Sequence, residues 1–552
     1  MAIWALTPGG LTQQPANFTK ALPRWKAEAT PPSPILNLAE FGDDFFKGAT
    51  VWVNAGSRWT SQTSEVTDHT GDTITFNGLG LTDVQNTPAK GNPYYLFNVY
   101  GALDSENEWW YDEEEQMLYL YGDPTGKTVQ VKARDTAINL DNVSYVNIDG
   151  IQVLGAGISG TNTSSITLNR VEANYAAHAS TIENPYGTDV ASIKLFGNNN
   201  TISNCEVAYS SATGVWISGD DNLLFNSKIH DTDYIGSYGA CINVSGSGNV
   251  VSHNTAYNTG RDIIIFQSGD NCKIEYNDFS HSGMICADLG VFYTVATDGG
   301  GTEICYNWVH DNDSSGSRSG IYLDNGTSNW LVHHNVVWDA GTALQLNVPS
   351  NYIAAYNNTF IGNINQDFAW VFKTDTWGDR IINNIATGNI ALKDETLART
   401  NFGNIADPGF ENADEHQYSL LANSQAIDAA EVIPGINDDY VGIAPDLGAY
   451  EYGQEPWTAG CNLESPPEMP QMPVELSAPR YSNLVENAGF ETRGLEGWTV
   501  SGPVSKATPG AGHDPIQMDN GYTRTGYGSA KLTGSDAAVV AEPLDEDFSS
   551  GD

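Results

Sequence analysis

The chain has 552 residues, with 68 Asp and Glu against 24 Lys and Arg, for a formal net charge of −44. A field this negative repels phosphate backbones and anionic headgroups, which excludes nucleic acid and membrane surfaces as partners. With 17% of residues charged, 40% hydrophobic and 56 Gly, the composition is that of a folded, Asp- and Gly-rich protein and not of a disordered acidic tail.

Residues 1–135 alternate apolar and polar positions around turns. Glu108-Trp109-Trp110-Tyr111-Asp112 followed by Leu118-Tyr119-Leu120-Tyr121 predicts an antiparallel hairpin, in a small β domain capping the first coil of the repeat region. The opening Met1-Ala2-Ile3-Trp4-Ala5 lacks the basic region and apolar stretch of a signal peptide, and no apolar run is long enough to span a bilayer. The acidity and the domain pattern together lead us to expect the mature form of a secreted protein.

Residues 136–400 carry a repeat. An apolar residue, two variable ones and a small polar residue recur, ending at Asp149, Asn169, Cys205, Ser227, Asn254, Asn277, Asn307, Asn335, Asn357 and Asn384. A period near 22 residues with variable excess is one coil of a right-handed parallel β-helix plus loop insertions, here about ten coils. Asn recurs because its amide can bond to the coils above and below within a turn, and because it tolerates αL geometry. A second column of strand ends reads Ser218, Ser245, Gln267, Asp288, Asp324 and Asn347, with turns such as Ser218-Gly219-Asp220-Asp221-Asn222 after it. The six cysteines are too dilute for a disulfide framework and show no CxxC or Cys/His metal spacing, so buried free thiols are expected.

Residues 401–452 form the far end of the helix, 453–482 a Pro-rich linker around Ser465-Pro466-Pro467, and 483–552 a new β segment opening at Asn483-Leu484-Val485-Glu486-Asn487. The last stretch is short for a β-sandwich and is expected to be a truncated one. The fold class is therefore all-β: a parallel β-helix, an N-terminal antiparallel β domain and a partial C-terminal sandwich.

The coil pattern resembles the pectate-lyase-like superfamily of secreted, carbohydrate-active β-helices. Asp407-Pro408-Gly409-Phe410, Ser424-Gln425-Ala426-Ile427-Asp428 and Ala444-Pro445-Asp446-Leu447-Gly448-Ala449-Tyr450-Glu451 look like the tail many of these enzymes carry after the last coil. The Trp109–Asp112 hairpin is similar to the N-terminal module of β-helix glycoside hydrolases, and Asn483–Glu491 resembles the first strand of a carbohydrate-binding module. The resemblance implies a polysaccharide substrate, but the superfamily holds hydrolases, lyases and epimerases alike.

For the chemistry, Asp288 and Asp324 are placed in one slot of adjacent coils, roughly 4.8 Å apart, where neighbours have Ser, Gln or Asn. Stacked carboxylates repel, which raises one pKa unless a cation or a substrate proton intervenes. A pair of acids flanking a glycosidic bond is the apparatus of a glycosidase. Asp311 is held in reserve as a third acid. An arm around Val291-Phe292-Tyr293-Thr294 and other long coils are expected to wall a cleft. Substrate contacts are expected from His310, His281, Arg318, Tyr293, Tyr322, Trp338, Gln267 and Asn347.

The expectation is a monomeric secreted glycoside hydrolase acting on a complex polysaccharide, marine and sulfated ones included. It needs no cofactor, with Ca²⁺ as a structural option. The alternatives are a lyase or uronate epimerase, in which the aspartates hold Ca²⁺ and Arg318, a Lys or a Tyr abstracts a proton, and a non-catalytic glycan-binding β-helix. The protein's own field opposes an anionic glycan, so a neutral or locally neutralised one fits better.

Overall fold

From residue 136 to residue 403 the chain repeats a short strand, a tight turn, a second strand, a turn and a third strand. In the computed structural model this repeat winds into a right-handed parallel β-helix. The structure describes residues 38–472 apart from 82–84, 180, 183–189, 317, 368–373 and 406, with the strands Ile3–Leu6, Trp498–Ser501, Val504–Ala507, Ser529–Leu532 and Ala538–Ala541. The first sheet runs from Asn147–Asp149 to Leu397–Arg399, the second from Gln152–Leu154 to Phe402–Gly403, and the third from Thr136–Asn139 to Ile390–Ala391. The second and third sheets each have 11 strands, one more rung than the sequence repeat indicates.

Parallel strands bury one face, and the alternation of side chains puts Ile274, Ile304 and Val332 of the first sheet, Phe279 and Val309 of the second, and Phe292, Ile321 and Leu344 of the third into one continuous interior. The turn from first to second sheet is a single residue at positive φ, such as Asn226, His253, Tyr276, Tyr306 or His334. This conformation is costly for residues other than Gly. What holds it is the next residue. Asn254 donates both its backbone N–H and its side-chain amide to Asn277 Oδ1, at 2.9 and 3.0 Å. Asn277 does the same to Asn307, Asn307 to Asn335, Asn335 to Asn358, Asn358 to Asn384, and Asn384 to Asn401. Cys205 and Ser227 extend the ladder at the other end.

The predicted column is corrected at three places. Asn358, not Asn357, is the ladder member; Asn357 is the positive-φ turn residue. Asp149 and Asn169 lie two residues earlier, paired in register with Ser203 on the outer face, where Asp149 meets Arg170.

Thr73–Phe76, Gln62–Thr70, Thr50–Val53 and Tyr94–Phe97 form an antiparallel sheet, and Trp109–Asp112 pairs with Met117–Leu120 as the expected hairpin. The sheet is fastened to the flank of the helix instead of its first coil. Trp52 donates its indole N–H to Ile235 O at 2.7 Å, and Ser61 N–H donates to Gly236 O at 2.7 Å. The tail also folds back along the helix. Tyr418, Leu420, Leu447 and Ala449 pack on Val336, Trp338 and Ile385 of the second sheet. Within the Pro-rich segment, Cys461 N–H bonds to Thr255 Oγ1 and Asn462 N–H to Asn226 Oδ1, so residues 453–472 are attached and are not a free linker.

The module expected at 483–552 lies outside the described residues except for two antiparallel strand pairs. None of the six cysteines forms a disulfide, and five are buried. No helix among the described residues is long and apolar enough to cross a membrane.

Asn307→Ala tests the ladder. It strips the acceptor from the buried Asn277 N–H and amide, and should lower the unfolding free energy by about 2–3 kcal/mol, read as a shift of the urea midpoint. An unchanged midpoint would show that the ladder is dispensable.

Candidate active site

Along the third sheet, the residues between the core positions face outward. Ile265, Tyr293, Tyr322 and Gln345 lie side by side in register. Asp324 follows directly on the strand Ser319–Leu323, beside Asn347 at the end of the next strand. The Asp324 carboxylate is buried and heavily bonded. Oδ2 accepts the Tyr293 hydroxyl at 2.9 Å, and Oδ1 accepts the Asn347 amide and the Asn325 N–H at 2.7 Å each. Burial raises the Asp324 pKa, and these donors, with the Tyr322 hydroxyl, oppose the rise. Asn347 also donates to Tyr322 Oη at 2.7 Å, and burial together with the Asp324 charge keeps Tyr293 and Tyr322 protonated.

Asp288 reaches the same place by another route. The sequence puts it in the strand-end slot with Asp324, but residues 290–294 are themselves the strand, so Asp288 precedes it in the loop 283–289. The expected arm at 291–294 is accordingly core strand, and the true insertion comes before it. The two aspartates still interact. Burial first, and then the charge of Asp324, push Asp288 up to about 6, with Arg261 opposing. Among the described residues the Asp288 side chain has no hydrogen-bond partner, whereas Asp324 has several.

Arg261 is the basic residue of this site. It is fully buried in the short turn before strand Asp262–Ser268, paired with Asp262, and its guanidinium lies 3.8 Å from the Tyr238 ring centroid and 4.8 Å from that of Tyr293. Burial works against its charge, but Asp262 and the neighbouring tyrosines hold it well above the usual value. It also donates to Asp288 O at 3.2 Å and to Trp59 O at 3.0 Å, which ties the Asp288 loop to the N-terminal sheet. Arg58 of that sheet donates to Ile285 O and Ser315 Oγ at 2.8 Å, and Ala287 N–H returns a bond to Arg58 O. Trp52, Ile235, Ile285, Cys286 and Leu289 make the apolar seam beneath. Sequence reasoning passes over Arg261, Asp262 and Arg58. The available signal is an Arg-Asp pair opening an Ile-Ile-Ile-Phe strand in an arginine-poor chain.

Four further candidates, His310, Asp311, His281 and Trp338, lie together on the second sheet. His310 is bonded at both nitrogens, to Asp311 at 2.7 Å and Asp278 at 2.9 Å, and stacks on Trp338 with ring centroids 4.1 Å apart. Burial opposes its charge, yet the two carboxylates raise it to about 9, while the His310 hydrogen bond lowers Asp311. His281 bonds to Asp313 at 2.9 Å, which raises its pKa. The same unit occurs earlier along the helix, where His230 bridges Asp231 and Glu206 and stacks on Tyr257. His310, Asp311 and Trp338 thus sit in an arrangement that recurs along the helix, and His281 lies beside it, 3.8 Å from Asp311 Oδ2. Arg318 donates to Asn312 O and Asp339 O, which spends it on backbone. Gln267 is exposed at its strand end.

Residues 191–360, which hold all of these strands, match the family model described as a right handed beta helix region. No curated protein matches the chain. Among solved structures, one described as a glycoside hydrolase is 12% identical with a TM-score of 0.45, covering 69% of this chain and 71% of its own. The pectate lyase Pel9A is 16% identical with a TM-score of 0.43, covering 58% and 89% respectively.

Because its folded-state pKa is raised, Asp288 favours folding only while it is protonated. That contribution is complete below pH ~4 and is lost as pH rises through about 6. Asp288→Asn should therefore be more stable than the native chain at pH 8, by about 2 kcal/mol, with the difference closing near pH 4. Thermal melts at the two pH values check this.

Proposed function

We propose that this β-helix is a glycoside hydrolase, with Asp288 as general acid and Asp324 as the ionised partner. What carries the reading is the asymmetry of two neighbouring carboxyls. Asp288 is raised to about 6 without a hydrogen bond to hold its charge, while Asp324 is fixed by several donors. A raised acid beside a bonded carboxylate is the division of labour that glycosidic cleavage requires.

Asp288 protonates the leaving oxygen, and Asp324 stabilises or attacks the oxocarbenium-like centre, directly or through water. Tyr293, Tyr322 and Asn347 hold Asp324 in place, and Arg261 anchors the loop that bears Asp288. The coil and tail motifs, which resemble those of secreted carbohydrate-active β-helices, support a polysaccharide as the substrate. The chemistry calls for no metal, so activity is expected to survive EDTA.

The test is a panel of neutral, uronic and sulfated polysaccharides, read by reducing ends and by the ultraviolet absorbance of unsaturated uronates. Reducing ends without absorbance are expected, with kcat/KM falling as pH rises beyond about 6. Asp288→Asn and Asp324→Asn should each lose roughly 10²-fold or more in kcat while keeping the native circular dichroism. Full activity in either variant overturns the assignment, and an absorbing product identifies a lyase instead.

A further inference from the structure

On the opposite wall of the same coils, the first sheet gathers a set of groups that the proposed hydrolysis does not use. Glu275, Cys305 and His333 are in register on successive strands, and Glu303 is in the same register position as Lys273 and Leu331. All of them point away from the core, because Ile274, Ile304 and Val332 between them point into it. One ligand atom each from Glu303, Cys305 and His333 lies within 4.8 Å of the other two. Cys305 and His333 are buried, and the Glu303 side chain is 15% exposed.

The His333 ring decides how this cluster is read. Its Nδ1 is 2.9 Å from His334 Nδ1, and its Nε2 is buried with no hydrogen-bond partner; the nearest carboxylate oxygen, Glu303 Oε2, is 3.9 Å away. A single proton must lie between the two Nδ1 atoms. If it sits on His334, His333 is left with a buried N–H that has no acceptor, at a cost of about one lost hydrogen bond or more. If it sits on His333, Nε2 presents a bare lone pair toward Glu303 and Cys305. The second arrangement is how a metal-binding imidazole is normally set, with its other nitrogen donating to a fixed acceptor.

We infer that Glu303, Cys305 and His333 bind a divalent transition-metal ion of the zinc type. A thiolate, an imidazole and a carboxylate are a borderline-soft donor set, which favours Zn²⁺ over Ca²⁺ or Mg²⁺. A tetrahedral zinc holds its donors roughly 3–4 Å apart, so side-chain rotation closes the present spacing. The local charge also balances. Glu275 and Glu303 share the ammonium of Lys273, which is 2.8 Å from Glu275 Oε2. Two carboxylates and a thiolate against one ammonium leave two negative charges for the dication, and the Cys305 proton goes to solvent on binding. Cys305 and His333 bracket the coil that carries Asp324, so the ion fastens that coil from behind.

The test uses the full chain, stripped with EDTA and dialysed, and titrated with Co²⁺ and then Zn²⁺. One equivalent of Co²⁺ should produce the near-ultraviolet absorption of a thiolate-bound ion, and one equivalent of Zn²⁺, but not Ca²⁺, should bleach it. Cys305→Ser should abolish the band. His333→Gln and Glu303→Gln should each weaken Co²⁺ binding by at least about tenfold with native circular dichroism. Absence of the band in the native chain, or its survival in Cys305→Ser, which would place it at the partly exposed Cys461, overturns the site. Should Cys305→Ser misfold, His333→Gln decides, and undiminished Co²⁺ affinity there overturns it equally.

Discussion

The stacked asparagine amides are the interaction on which the rest of this molecule depends. A parallel β-helix must turn between sheets without leaving backbone polar groups unpaired in its wall. Here one residue at positive φ makes the turn, and the following Asn ties its own N–H and amide to the next coil, from Asn254 through to Asn401. The amide of each inner member also reaches back to a carbonyl of the preceding coil, as Asn307 does to Ile274 O at 2.8 Å. Both hydrogens of such an amide are thus used, and the vertical register of the coils follows.

With the register fixed, a few outward positions acquire chemistry. The third sheet places Tyr293 and Tyr322 side by side and sets Asp324 next to Asn347. No neighbouring strand position of this sheet supplies the second carboxyl. Asp288 comes instead from a loop, and that loop is held by Arg261 below and by Arg58 of the N-terminal sheet above. The N-terminal sheet and its connecting loop thus lie against the loop that bears Asp288.

Much of this is legible in the sequence, for a reason specific to repeats: a ladder writes the same residue at every coil. The fold, the interior columns and the hairpin at Trp109–Leu120 are visible on that account. The repeat pattern selects Asn357 in place of Asn358 because two asparagines adjoin, and a one-residue slip has no signature in composition. It sets Asp288 at a strand end because Ile285-Cys286-Ala287 imitates the apolar-x-apolar pattern, while the real strand at Gly290–Thr294 begins with the glycine that usually marks a turn. The His310–Asp311 pair has a counterpart at His230–Asp231 that the sequence already shows, and the structure adds that each His also reaches a carboxylate of the preceding coil. Arg261 shows in the sequence only as an Arg-Asp pair opening an apolar strand, because its contacts are with residues 59 and 288, away from it along the chain. Most of the net charge of −44 is architectural, whereas Asp288 is buried and pushed up to about 6.

Two carboxyls from different coils form one electrostatic unit, and the proposed chemistry stands on that coupling. Its most direct test is a titration of the Asp288 carboxyl, by carbon-13 resonance or infrared band, in the native chain and in Asp324→Asn. A native pKa of about 6 that falls when the Asp324 charge is removed is the predicted result. An Asp288 that titrates in the ordinary carboxylate range, or that is indifferent to Asp324, would contradict it.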